Sequence, residues 1–183
     1  MERLLNRIKA RLTVARREDL SELHEFCTGI LPDDFVALEL WLERHDKNPN
    51  IFHMVKAFDG PAAAREGRLV GSFLLTPITE EARALLEREQ LSGVSFTPEH
   101  IAGPDSKPAA MYISGIVASG LTPKAVTLYL LDRTMQREVE KGVCLFYTKP
   151  MRSEGLRTVE DNGFLPVDPA ARHQLGRIYK KKM

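Results

Sequence analysis

The part of this chain best suited to chemistry is a hand-over from an apolar run into a helix. Residues 109 to 119 are small and apolar, with Met111, Ile113, Ile116 and Val117 among them, and Gly120-Leu121-Thr122-Pro123-Lys124 follows. Thr122 reads as a helix N-cap and Pro123 as the first helical residue. The first amides of a helix have no partner within it, and the helix dipole puts partial positive charge there. Such a start can hold an anion, and a pyrophosphate fits it well. Lys124 adds a full positive charge.

The other reactive residues are scattered. His24 and His45 fall on helices, His53 on a strand, and His100 and His173 in loops, so no pair has metal-ligand spacing and no metal is expected. Cys27 and Cys144 lie far apart in apolar contexts and read as buried thiols of a reducing compartment. No nucleophile elbow of a Ser-His-Asp hydrolase and no P-loop lysine motif is present. The 26 Lys plus Arg against 25 Asp plus Glu give a net charge of +1, which excludes a strongly basic nucleic-acid binder. Lys180-Lys181-Lys182 reads as a frayed, solvated tail. Residues 1 to 11 lack the apolar core of a signal peptide, and no window approaches the roughly 18 apolar residues of a membrane span. The expectation is a cytoplasmic protein that binds neither nucleic acid nor membrane.

Residue periodicity sets the elements that must position these groups. Leu12 to Ala15 reads as a strand. Asp19 opens a helix carrying Leu20, Leu23, Phe26 and Cys27, and Gly29 ends it. Pro32-Asp33-Asp34 starts a second helix with Phe35, Leu38 and Trp41 or Leu42 as its stripe. Ile51 to Phe58 and Leu69 to Thr76 form a hairpin across a loop at 59 to 67, and Pro77 stops the second strand. A charged helix spans Glu80 to Gln90, with Ala84, Leu85 and Leu91 on its apolar face. Residues 92 to 108 read as an irregular loop. Residues 109 to 119 suit a central strand covered on both faces, with Gly115 marking a bulge or a close approach by another backbone. The long helix ends at Gly142, a strand covers Val143 to Tyr147, and Ser153 caps a short helix ending at Asn162-Gly163. Phe164 to Val167 and Arg177 to Tyr179 close the sheet. The 183 residues, 43% hydrophobic and 28% charged, fit one domain. It has an N-terminal extension at 1–11 and a helix-plus-loop insertion at 77–108.

This order, with two local patterns, resembles the GNAT family of N-acetyltransferases. The first pattern is Ile113-Ser114-Gly115-Ile116-Val117-Ala118-Ser119, then Gly120-Leu121-Thr122-Pro123, then the helix from Lys124. The second is Leu156-Arg157-Thr158-Val159-Glu160-Asp161-Asn162-Gly163-Phe164, a short helix running into a Gly-Phe pair. The resemblance covers about residues 12 to 180. It implies an α/β fold: a mixed, mostly antiparallel twisted sheet of about six to seven strands with helices on both faces. It implies acetyl-CoA or another acyl-CoA as donor, an amine as acceptor, and a possible homodimer.

In the family, the strand gives backbone groups to the pantetheine arm and the helix start binds the pyrophosphate. That puts Ile116, Val117 and Ala118, with Lys124, Ala125, Val126 and Thr127, at the donor. The family's loop pattern, Arg/Gln-x-x-Gly-x-Gly/Ala, falls across residues 121 to 127, where only Ala125 is compatible. Pro123 also removes one amide. Many members carry a catalytic Tyr in the short helix, and here that position is Val159. Tyr147 and Ser153 are the candidate substitutes. The strand at 109–119 offers only Tyr112 and Ser114 as reactive side chains, so His53 is the candidate base. Asp33, Asp34 and Glu39 lie where the acceptor pocket forms in the family. Three readings follow: an acyl-CoA-dependent N-acyltransferase, a degenerate GNAT-like binding or regulatory domain, and a carrier-protein-dependent acyltransferase of the acyl-homoserine-lactone-synthase type. In the third, 77 to 108 would line an acyl tunnel.

Overall fold

The computed structural model describes residues 9–58 and 67–183. Most of the N-terminal extension and of the 59–67 loop lies outside the described residues. The elements run β1 (Ala10–Val14), α1 (Leu20–Ile30), α2 (Leu38–Lys47), β2 (Phe52–Ala57), β3 (Arg68–Ile78), α3 (Glu80–Glu87), β4 (Ala110–Ala118), α4 (Leu121–Glu140), β5 (Leu145–Thr148), α5 (Ser153–Asp161), β6 (Leu165–Pro166) and β7 (Tyr179–Lys182). This is the element order the periodicity predicts. The strands make one seven-stranded sheet in the order β1-β2-β3-β4-β5-β7-β6. Every neighbouring pair is antiparallel except β4 and β5.

Alternation along the strands divides the core in two. Phe52, Met54, Leu74 and Val117 pack with Leu20 and Leu23 of α1 and Trp41 of α2. On the same face, Tyr112 and Tyr147 pack with Ala82 and Leu86 of α3. Phe73, Leu75, Met111, Ile113 and Phe146 turn the other way, toward Leu131 and Met135 of α4 and Leu156 of α5. Buried on both faces, β3 and β4 read as near-continuous apolar runs.

Several boundaries differ from expectation for local reasons. Helix α2 starts at Leu38 rather than Pro32, so Phe35 belongs to the α1–α2 loop. Helix α1 runs one residue past Gly29. Strand β3 continues through Pro77, which pairs with Met111. Strand β2 begins only at Phe52, opposite Leu74. The nitrogen of Pro77 therefore meets no ladder there, and only its carbonyl is used, by the amide of Ala102 (2.9 Å). Helix α4 begins at Leu121, with Gly120 as its N-cap at φ +106, so Thr122 and Pro123 lie inside the first turn. Arg152, not Ser153, is the N-cap of α5. Lys180, Lys181 and Lys182 are no frayed tail but form β7 between β5 and β6. Cys27 is buried, which pushes its thiol up to about 12, whereas Cys144 is exposed.

The segment 92–108 is more ordered than its composition suggests. It holds single helical turns at Gly93–Ser95 and Pro98–His100, and it buries Phe96, Ile101 and Ala102. Side chains of α2 hold it down. The Arg44 guanidinium, 5% exposed, donates to the carbonyls of Phe96 (2.8 and 3.2 Å) and Val94 (3.1 Å). Asn48 Nδ2, on the residue capping α2, donates to the carbonyl of Ala102 (2.8 Å). Burial lowers the Arg44 pKa to about 10, and the carbonyls supply the acceptors that such a cation needs.

Candidate functional site

The site grows from one interruption in the sheet. Strands β4 and β5 pair only at Met111 with Phe146, Tyr112 with Tyr147 and Ile113 with Thr148. There β5 ends and the chain turns toward α5, while β4 runs on to Ala118. A slot opens beyond Ile113. At its edge the β3–β4 register shifts between Ser72 and Leu74, opposite Gly115, which has φ +58. A Cβ on Gly115 would lie 2.8 Å from Leu74 Cδ1 and 3.1 Å from Phe35 Cε1. Conformation and contact together therefore require glycine at the expected bulge. Past the bulge, the Ser119 amide donates to the carbonyl of Val70 on β3 (2.9 Å). Alternation then turns the amides of Ile116 and Ala118 toward the open edge.

Helix α4, 20 residues long, starts beside this edge. The Lys124 amide donates to the Gly120 carbonyl (3.1 Å) and closes the first turn. The amides of Leu121 and Thr122 lie ahead of that bond, and Pro123 has none. Leu121 is 86% exposed and Thr122 is exposed, so the helix start is open. The Lys124 ammonium pairs with the Glu154 carboxylate in the first turn of α5, which holds that carboxyl below its usual range. On the other side of α5, Arg152 Nε donates to Asp34 Oδ2 (2.9 Å) in the α1–α2 loop. The start of α5 is thus tied to elements on both faces of the sheet.

Between α4 and α5, at the apex where β4 and β5 part, lies a cavity of about 60 Å³. Ile113 and Thr148 form its floor, Leu128, Leu131 and Met135 one wall, and Val159 the other. Asp132, Thr158, Asn162 and Lys181 reach it as well. Most of these polar groups are engaged elsewhere: Asp132 accepts from Gln136, Thr158 donates to the Glu154 carbonyl, and Asn162 donates to the Thr158 carbonyl. The Lys181 ammonium lies over the Phe164 ring.

The residues expected from sequence divide sharply. Ile116, Ala118 and Lys124 stand at the slot. Val117 is in the strand, but its side chain is buried in the α1–α2 core. Ala125 is half-buried in the first turns of α4. Val126 is fully buried against Val55, Ala57 and Val70. Thr127 packs on Gly71 and donates to the Pro123 carbonyl (2.8 Å). The side chains of Val126 and Thr127 thus serve the seat of the helix on the sheet, and the free amides belong to Leu121 and Thr122.

Tyr147 faces away from the cavity. Its hydroxyl donates to Glu87, which also accepts from Lys180 (2.8 Å), and burial pushes the phenol up. His53, 7% exposed, stacks on Phe73 at 4.7 Å and sets Nδ1 against the Ile51 carbonyl (3.1 Å). Its charged neighbours are Glu138 and Lys141, at the far end of α4 from Lys124, and burial lowers its pKa to about 4. Neither residue is brought to the slot. Ser153 is exposed in the first turn of α5, beside the slot mouth. Tyr112 is buried under Gly93, and Ser114 is half-buried next to the bulge. Among the acidic candidates, Asp34 is in the Arg152 pair, while Asp33 and Glu39 are exposed. Segment 77–108 packs on the α1–α2–α3 face and contributes nothing to the cavity lining. Glu154, Arg152 and the α4 wall were missed from sequence. Thirty residues separate Lys124 from Glu154, and no periodicity links them.

Strand order, the parted parallel pair and the bulge define a class: this is the fold of the GNAT acetyltransferases. No protein-family model and no curated protein sequence matches the chain. Solved structures do. The loading GNATL domain of CurA from Lyngbya majuscula is 15% identical, with a TM-score of 0.68, over 94% of this chain and 97% of that one. An acetyltransferase of the GNAT family from Staphylococcus aureus Mu50 is 13% identical, with a TM-score of 0.62, over 94% and 98%. N-acetylglutamate synthase from Neisseria gonorrhoeae, solved with coenzyme A and N-acetyl-glutamate, is 12% identical, with a TM-score of 0.58, over 94% of this chain and 35% of that one. No helix among the described residues is long and apolar enough to cross a membrane.

Proposed function

We propose that this chain is an N-acyltransferase that uses acyl-CoA as donor and an amine as acceptor. The observation that carries this reading is the slot at Ile113–Thr148, which has an exposed helix start at its mouth. The fit to the donor is good in three respects. The amides of Ile116 and Ala118 offer hydrogen bonds along an extended arm. Those of Leu121 and Thr122, with Lys124, offer an anion site. The apolar apex takes the thioester end.

Acyl-CoA supplies an activated thioester. The chain's own work is positioning and polarisation. An acceptor amine, freed of its extra proton by water, attacks the carbonyl carbon. The C–N bond forms and the C–S bond breaks. The new amide's nitrogen gives up a proton, and the leaving thiolate takes one up. A strand amide at the bulge bonds to the carbonyl oxygen as negative charge develops on it. Ser153, exposed in the first turn of α5, remains the candidate proton donor to sulfur. Much of the rate then comes from holding the two reactants together.

Calorimetry with CoA, followed by free-thiol release from acetyl-CoA across a panel of amines, tests this reading. Lys124→Glu should weaken CoA binding about tenfold or more, because it reverses a charge at the phosphates; it also sets two carboxylates together at Glu154, which at this exposed site should lower the melting temperature by only a few degrees. No binding of CoA by the wild type at millimolar concentration would remove the donor assignment. Val159 at the usual acid position favours a second reading, a domain that binds acyl-CoA without turning it over. Tight CoA binding with no amine-dependent thiol release would select it. Stabilisation by an acylated carrier protein alone would select the carrier-dependent transferase.

A further inference from the structure

We infer that the cavity at the apex of the slot is an acyl-chain pocket, so that the preferred donor carries a chain longer than acetyl. The inference rests on the donor reading above and adds the class of acyl group. Three observations carry it. First, the cavity begins at Ile113 and Thr148, the last pairing before β4 and β5 part, which is where the thioester end of a donor in the slot arrives. Second, its walls are Leu128, Leu131 and Met135 from α4 and Val159 from α5. Thr158 and Asn162 donate to backbone carbonyls, Asp132 accepts from Gln136 and Lys181 lies over Phe164, so the lining left to a ligand is mainly apolar. Third, the α5 wall carries a small side chain, Val159, with Thr158 and Asn162 beside it. A phenol or phenyl ring at that position would fill the space.

The volume admits an acyl chain longer than acetyl. A cavity of about 60 Å³ has room for several water molecules. That is room for the two methylene groups by which butyryl exceeds acetyl. Each methylene taken from water is worth about fourfold in affinity, so butyryl-CoA should bind the wild type about tenfold more tightly than acetyl-CoA.

Calorimetry with CoA, acetyl-CoA, butyryl-CoA and octanoyl-CoA on the full chain tests this directly. The expected result is the tenfold gap, with octanoyl-CoA no weaker than acetyl-CoA. Val159→Phe should close the gap to within about twofold while leaving CoA itself unchanged. Leu128→Phe narrows the cavity from the opposite wall and gives the same readout if the first variant folds poorly. Equal binding of acetyl- and butyryl-CoA to the wild type would overturn the inference and leave the donor reading standing. So would a gap that survives in both variants. Failure of all four ligands to bind would remove the donor reading and this inference with it.

Discussion

Two aromatic-sized positions on opposite faces of the sheet make an instructive contrast. On the α1–α2–α3 face, Tyr147 carries a reactive hydroxyl, yet it is fully buried and spends that hydroxyl on Glu87. On the α4–α5 face, Val159 carries no chemistry, yet it borders the cavity at the apex of the slot. The face that looks reactive in sequence is packed shut. Its polar groups hold α3 and β7 together: Glu87 with Lys180, and Glu89 with Arg177 and the Ile178 amide. The face that looks inert retains open space. Side-chain type is thus a poor guide to function when its direction is unknown.

The sharpest way to break this contrast is at the bulge that both faces share. Gly115→Val should destabilise the protein by about 3 kcal/mol and abolish CoA binding, through positive φ and the clash with Leu74 and Phe35. Thermal unfolding measures it. A stable variant with intact binding would show that the slot does not depend on the bulge.

A smaller effect comes from His53. Its folded pKa, about 4, lies below the ordinary value of 6.5. Above pH 6.5 both states are neutral there and the group adds no pH dependence. Between pH 6.5 and 4 the unfolded chain binds a proton that the folded chain does not, so stability falls with falling pH, by up to ~3 kcal/mol. His53→Phe should keep the stack on Phe73 and flatten that limb, as urea titrations at pH 7 and pH 5 would record. An unchanged limb would place its origin in other groups. If His53 were the catalytic base after all, the same variant would cut turnover at pH 7.

The smallest effect tests Tyr147 itself. Tyr147→Phe should cost about 1.5 kcal/mol by leaving the Glu87 carboxylate one donor short. Turnover at saturating donor and acceptor should stay within twofold of wild type. A loss of a hundredfold would mean that the phenol protonates the leaving group, and the contrast between the two faces would fail.

Much of the frame was legible from residue pattern. The β4–α4 hand-over showed because an apolar run gives way to a 3.6-residue period at a Gly-Leu-Thr-Pro turn, and local physics suffices there. Gly115 stood out as a glycine inside a strand. Pro77 misled, because a proline stops a strand only where the partner needs its amide, and that depends on where β2 begins. The lysines at 180–182 misled similarly: their charge reads as a tail until β5 and β6 are seen to flank them.

The sequence alone determined the order of elements and the helix that follows the apolar run at 109 to 119. These follow from periodicity and capping, which act over a few residues. Only the tertiary structure decided that Lys124 meets Glu154, that Tyr147 and His53 turn away, and that Val159 borders open space. Those outcomes depend on which face a strand residue takes and on contacts across 30 residues or more, and no local rule fixes either.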